Sequence, residues 1–188
     1  MRKTLSALSR LRLSLRRFRS RDGGAAAVEF ALVVPVMLVL YAGTVEVTAM
    51  ISLSKNVQKV AGAVGDLVSQ SDSTVKQTQV MDYFAAARTI MPGNRHGLRQ
   101  AVTAVEVSPT GTPKVLWSVQ AGGATILPKG ADFELPDAIT AMAPTGTVIV
   151  SESWAVHRPL YGFVLEDPIT MGGQSFFMPR FGGKIELR

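Results

Sequence analysis

The chain has 188 residues, with twenty Lys/Arg, fourteen Asp/Glu, no cysteine and a formal net charge of +6. That length suits one domain of ordinary size with an appendage, and the missing thiols exclude disulfides, thiol catalysis and cysteine-ligated zinc. The charge is uneven: residues 1–24 hold eight Lys/Arg against Asp22 alone, a balance of +7, which leaves twelve basic and thirteen acidic side chains elsewhere, a balance of −1. A nucleic-acid-binding domain would carry its basic patch on the folded body, so nucleic acid is not an expected partner.

Residues 1–24 read as a basic leader. Leu5, Leu8, Leu11, Leu15 and Phe18 recur at helical spacing among the arginines, which predicts an amphipathic helix able to lie on anionic lipid. An organelle-targeting segment shares this composition and is the alternative reading.

From Ala25 to Val45 the only charge is Glu29. A helix of that length reaches roughly 31 Å and matches a hydrocarbon core of about 30 Å, so residues 25–47 are expected to span a membrane. Eight basic residues precede the run, while only Lys55 and Lys59 follow within the next fifteen positions. This asymmetry places the N-terminus in the cytoplasm and the bulk of the chain outside. Tyr41 lies near the far end, where an amphipathic ring suits the interface. A cleaved secretory signal would need a small residue where Tyr41-Ala42-Gly43 has tyrosine. Pro35 frees one carbonyl a turn earlier and predicts a kink that neighbouring helices can repair.

Glu29 is the costly residue, since an acid at the centre of a spanning helix is unfavourable by roughly 2.5–3.5 kcal/mol. Two explanations stay open. In the first turn of a helix a carboxylate complements the macrodipole, worth about 0.3–1 kcal/mol. Alternatively, a peptidase cuts between Gly24 and Ala25 and frees an α-amino group, one turn from Glu29 on the same helix face. That ammonium, or one from a neighbouring subunit, would offset the desolvation of the carboxylate and set the stagger between packed helices. Gly24 suits such a cut because a backbone without a side chain can enter a tight groove.

The run Gly-Ala-Ala-Ala-Val-Glu-Phe-Ala-Leu-Val-Val-Pro, residues 24–35, resembles the TadE-like family of bacterial tight-adherence (Flp/Tad) pilus systems. The resemblance continues through Gly43-Thr44-Val45-Glu46, and Arg158-Pro159-Leu160 is similar to a second stretch of that family. It implies a minor pilin or pseudopilin of the bacterial inner membrane, matured by a prepilin peptidase. Gly24 and Ala25 would flank the scissile bond, with Glu29 and Phe30 serving recognition and assembly. The implied partners are the peptidase, other pilins and components of the tight-adherence machine, without a cofactor or a small-molecule substrate. Ala25 stands where type II secretion and type IV pilins usually carry a methylated Phe, so N-methylation is not implied.

Past the span, Glu46, Met50, Leu53, Val57, Val60, Val64 and Leu67 alternate at spacings of four and three. This seam predicts that the helix continues to about Gln70, with residues 48–72 as its periplasmic extension and Leu53, Val57, Val60, Val64 and Leu67 as packing positions. Glu46, at its start, reads as a solvated interfacial acid. Ala61, Gly62, Ala63 and Gly65 allow close approach, either of the chain's own head or of a second helix.

Residues 73–188 are expected to form the head. Ser73 would cap a helix over 74–91, ended by Pro92-Gly93-Asn94. Alternation and β-branching predict strands over 101–107, 114–119, 147–156 and 174–178, and a short helix falls within 131–143, with Pro136 near its start. Trp117 and Trp154 read as core or sheet-face residues. The fold class is therefore α+β: a long N-terminal pilin-like transmembrane helix, then a small periplasmic head of helices and an antiparallel sheet.

Catalytic constellations are absent from the pattern. Neither His96 nor His157 has an acid or nucleophile at a recognisable motif spacing, and there is no phosphate loop. Asp132, Glu134 and Asp137 lack the spacing of a calcium loop and read as solvated surface. An enzyme and a metal site are not expected. The expected function is a minor pilin-like protein; the alternative is an uncleaved single-pass anchor whose head binds an envelope or secretion-system partner.

Overall fold

The computed structural model describes residues 23–91, 97–109, 112–162 and 165–188; residues 1–22 of the leader, the Pro92-Gly93-Asn94 turn and His96 lie outside the described residues. The chain divides into two compact units, Met1–Glu46 and Val47–Arg188.

Helix α1, Gly23–Ser69, opens the described chain and contains Pro35. In the first unit its large apolar side chains are bare from Val28 to Tyr41 apart from the half-buried Val34, with Phe30 70% and Tyr41 67% exposed. A soluble monomer seldom leaves so long an apolar band open to water. Among the described residues, α1 is the one helix long and apolar enough to cross a membrane.

The second unit is built on a four-stranded antiparallel sheet of β2 (Arg99–Val107), β3 (Pro113–Ala121), β4 (Thr147–His157) and β5 (Ile169–Phe177). Its order is β3-β2-β4-β5. Two short strands, β1 (Thr74–Val75) and β6 (Glu186–Leu187), pair in parallel beside it. The helices of this unit are the outer part of α1, α2 (Gln77–Ala87) and α3 (Asp137–Met142). The architecture is α+β, as the strand and helix periodicities indicated.

Alternation sends each strand's side chains to two faces, and both are used. On one face Val57, Val60, Val64 and Val68 of α1 meet Phe84, Val102, Trp117 and Ile149. On the other, Val105, Val107, Val148 and Val150 form a smaller core with Leu135 and Ala143. Ala104 pairs with Trp117 while Val105 pairs with Val115, so Leu116 is the extra residue of a β-bulge.

Three elements differ from expectation. Thr74 and Val75 form a strand rather than the start of a helix, because Glu186 and Leu187 supply a pairing edge from the far end of the head. Helix α2 starts at Gln77 with Lys76 at its N-cap and no side-chain cap. Its first orphan donor is met instead by the backbone, Gln77 N donating to Arg188 O at 2.9 Å, while Ser73 O accepts from Glu186 N. Strand β5 begins at Ile169, five residues before the expected 174. The pair Gly172-Gly173 hid it, yet a side chain at 173 would bring its Cβ within 2.9 Å of Gln58 Cα.

Candidate membrane and assembly segment

Gly24, Ala25, Glu29 and Phe30 all lie on exposed helix, and a Cβ built at Gly24 meets nothing within 4 Å. Ala25 and Glu29 stand four residues apart, on one face of α1. The covered face of this unit is further along: Ala42 is 5% and Glu46 0% exposed. Glu46 is therefore buried rather than solvated, and it has an interaction partner. Thr44 Oγ1 donates to Leu40 O at 2.8 Å, the back-bond by which threonine satisfies itself inside a helix.

Within the second unit α1 lies on the sheet. Val57, Val60 and Val64 are buried, while Leu53 and Leu67 are half-buried. Val68, fully buried in the core, takes the position that the seam gave to Leu67. A straight helix drifts about 20° per heptad against a 3.5-residue repeat, so by the last turn the facing residue has moved on by one.

Polar contacts hold the same surface. Ser153 Oγ donates to Val57 O at 2.6 Å, and Gln58 Nε2 donates to Gln174 O at 2.8 Å. The guanidinium of Arg180 meets Asp66 at 2.6 Å, and Arg180 N donates to Ser69 O. The small residues serve this contact: a Cβ on Gly65 would fall 2.5 Å from the Phe177 ring and 3.0 Å from Ser151 Cβ. Close approach here belongs to the chain's own β4 and β5.

The head also has polar features that sequence periodicity did not single out. Burial pushes the Glu152 carboxyl above its ordinary value, and the hydrogen bond from Gln174 partly opposes this. Arg99 stacks over Trp154 at 5.7 Å from the ring centroid. Asp132 pairs with Lys114 at 3.7 Å, whereas Glu134 and Asp137 border a shallow opening of about 380 Å³ with Gln174. A groove of about 700 Å³ runs between β3 and the C-terminal segment, lined by Leu116, Trp117, Ile126, Lys129, Ile185 and Leu187. Among the described residues no group of three or more His, Cys, Asp or Glu could hold a metal ion.

No curated protein and no solved structure gives a significant match to the chain. Residues 24–65, from the glycine before Ala25 to the glycine under Phe177, match the family model described as TadE-like protein, and this match together with the bare apolar helix supports a Tad-pilus-related, pilin-like protein associated with a membrane.

Proposed function

We propose that this chain is a minor pilin-like subunit for assembly of a tight-adherence pilus, inserted with its N-terminus in the cytoplasm and its head in the periplasm. The observation that carries this reading is the bare apolar stretch of α1 between Val28 and Tyr41, inside the segment that matches the TadE-like family model. In lipid that band incurs no exposure cost, and the helix satisfies its own backbone. A prepilin peptidase cuts between Gly24 and Ala25. The new ammonium at Ala25, or that of a neighbour, then pairs with Glu29, so that one carboxylate serves both recognition and register. The protein acts by helix bundling rather than by catalysis.

The test is the N-terminal mass of membrane-extracted protein, with and without the cognate peptidase. A terminus at Ala25 that depends on the peptidase is expected; a terminus at Met1 in both samples refutes the cut. Glu29→Ala is expected to insert normally and to abolish assembly, and undiminished pilus formation would contradict the role given to Glu29.

A further inference from the structure

Strand β3 is an edge of the four-stranded sheet, and the chain closes only the first part of that edge. Val115 N donates to Ala131 O at 2.9 Å, Gly130 N donates to Val115 O at 2.7 Å, and Phe133 N donates to Pro113 O at 3.1 Å. Both main-chain groups of Val115 therefore point away from β2. The β-bulge then reverses the phase, since Ala104 pairs with Trp117 where an unbroken ladder would pair it with Leu116. Beyond the bulge Trp117, Val119 and Ala121 turn their main chain towards β2, while Ser118 and Gln120 turn theirs outward. No described residue bonds to the outward N–H or C=O of either. The covering segment has left the edge at this point. The groove of about 700 Å³ opens between them, with Leu116, Trp117 and Ser118 on one wall and the stretch from Ile126 to Lys129 on another.

Unpaired main-chain groups beside a groove fit one kind of occupant, an extended chain that continues the sheet. Alternation specifies its side chains. Residues opposite Ser118 and Gln120 fall on the face of Thr103, whose hydroxyl meets that of Ser118 at 3.0 Å. On that face Gln120 Oε1 is buried without a donor, and a hydroxyl opposite Gln120 supplies one once the amide turns. Residues between these fall on the face of Trp117 and Val119, towards Ile185 and Leu187. The groove thus takes apolar side chains on one face of the added strand and hydroxyls on the other. Charge distinguishes the ends. Lys184 is neutralised by Glu106, and the acid of the lining, Glu186, belongs to the C-terminal wall. Lys129 is exposed and has no ion pair among the described residues. It directly precedes Gly130, which is bonded to Val115, so it stands at the end of the open edge nearer the start of β3.

We infer that β3, from Trp117 to Ala121, accepts a strand from a partner protein: an extended segment that alternates β-branched apolar residues with hydroxyl residues and carries a carboxylate at its C-terminal end, against Lys129. Every pair in this sheet is antiparallel, and an antiparallel addition brings the C-terminal end of the new strand to the start of β3. Main-chain bonds to Ser118 and Gln120 hold it, and the groove and Lys129 select its sequence. The whole contact lies within the second unit and is independent of the span and of the cut.

The probe is the peptide fluorescein-Thr-Val-Thr-Val-Thr-Val-Asp-amide, titrated by fluorescence anisotropy against the full-length protein in detergent micelles, with empty micelles as the blank. A saturable rise above the blank is expected. In the proposed pairing the threonine amides face β3 and the valine amides face away. N-methylation of the threonine amides is therefore expected to weaken binding at least tenfold, and N-methylation of the valine amides to leave it within twofold. Because these changes are made in the peptide, they read strand pairing without disturbing the fold. Lys129→Glu is expected to weaken the parent peptide at least threefold, and a peptide ending in lysine instead of aspartate to regain that loss. Absence of saturable binding at millimolar peptide overturns the proposal. Equal effects of the two methylations mean that the groove is filled without strand pairing, which also overturns it. A lysine-ended peptide that gains nothing from Lys129→Glu refutes the end and the direction assigned to the added strand.

Discussion

Two adjacent glycines in β5 should respond very differently to the same small change. Successive strand residues point to opposite faces; Gly173 faces α1 and Gly172 faces Trp154. A Cβ at 173 would lie 2.9 Å from Gln58 Cα and 3.0 Å from Gln58 N, so helix backbone must move. Moving it also strains the bonds from Ser153 to Val57 and from Gln58 to Gln174, each worth about 0.5–1.5 kcal/mol net. At 172 the nearest atoms are Trp154 Cδ1 and Nε1, at 3.2 and 3.4 Å, on a ring that can tilt. Replacing a strand glycine by alanine recovers roughly 0.5–1 kcal/mol of backbone entropy, whereas overpacking costs about 1–3 kcal/mol. Gly173→Ala should therefore destabilise the head by about 1–3 kcal/mol, and Gly172→Ala should be close to neutral. In thermal terms the loss at 173 is a fall of roughly 3–10 °C. The assay is unfolding of the full chain in detergent micelles followed by tryptophan fluorescence, because Trp117 and Trp154 both lie in the sheet. If Gly173→Ala proves as stable as Gly172→Ala, α1 is not seated on β5 at Gln58.

Three further outcomes follow from the same contacts. Trp117→Phe removes the donor to Ile185 O, a 2.7 Å buried bond, and should cost about 1–3 kcal/mol for the carbonyl left behind. Amide exchange at Glu186 and Arg188 should accelerate with it, and unchanged exchange there would contradict the tie. Val68→Ala should cost about 1–3 kcal/mol and Leu67→Ala distinctly less, since only Val68 is fully buried; the reverse order in urea unfolding would overturn the facing assigned to the last turn. Glu152 has a folded value raised above its ordinary 4.5 by burial. Its folded state therefore holds the proton more tightly, and stability falls as pH rises from 4.5 through the raised value. Glu152→Gln should match the parent near pH 4 and exceed it at pH 7 by less than about 1 kcal/mol, half-exposure screening the cost. An equal difference at both pH values would refute the assignment.

Much of this architecture was legible because its signals are local. The run from Ala25 to Val45 marks a helix long and apolar enough to cross a membrane without any tertiary information. Strands β2, β3 and β4 showed themselves through β-branched alternation. What stayed hidden depends on partners distant in the chain. Thr74 and Val75 are β-branched, but two residues are too short a run to read as a strand, and they become one only when Glu186 and Leu187 arrive beside them. Gly172 and Gly173 weaken the local strand pattern because the requirement they meet belongs to the helix packed above and the tryptophan opposite. Glu46 has the composition of a surface acid, and no periodicity could report its burial. The exchange of Leu67 for Val68 is a matter of helical phase, which a seam of alternating fours and threes cannot carry through three turns. The candidate cut and Glu29 are a motif reading, and Gly24, Ala25 and Glu29 all lie on exposed helix.

The valine stripe of α1 has a temporal consequence. Its covering strands come late: the bond from Ser153 to Val57 closes a separation of 96 residues, and that between Gln58 and Ser175 one of 117. Such distant contacts fold slowly, because chain closure must precede any reward. At about 5–20 residues per second of synthesis, roughly a hundred residues take on the order of 5–20 s to follow. During that interval Val57, Val60, Val64 and Val68 have been made, and the strands that will cover them have not. The helix is thus a template that waits for its sheet, and the waiting period is when this chain is most open to aggregation or to capture by a holding factor.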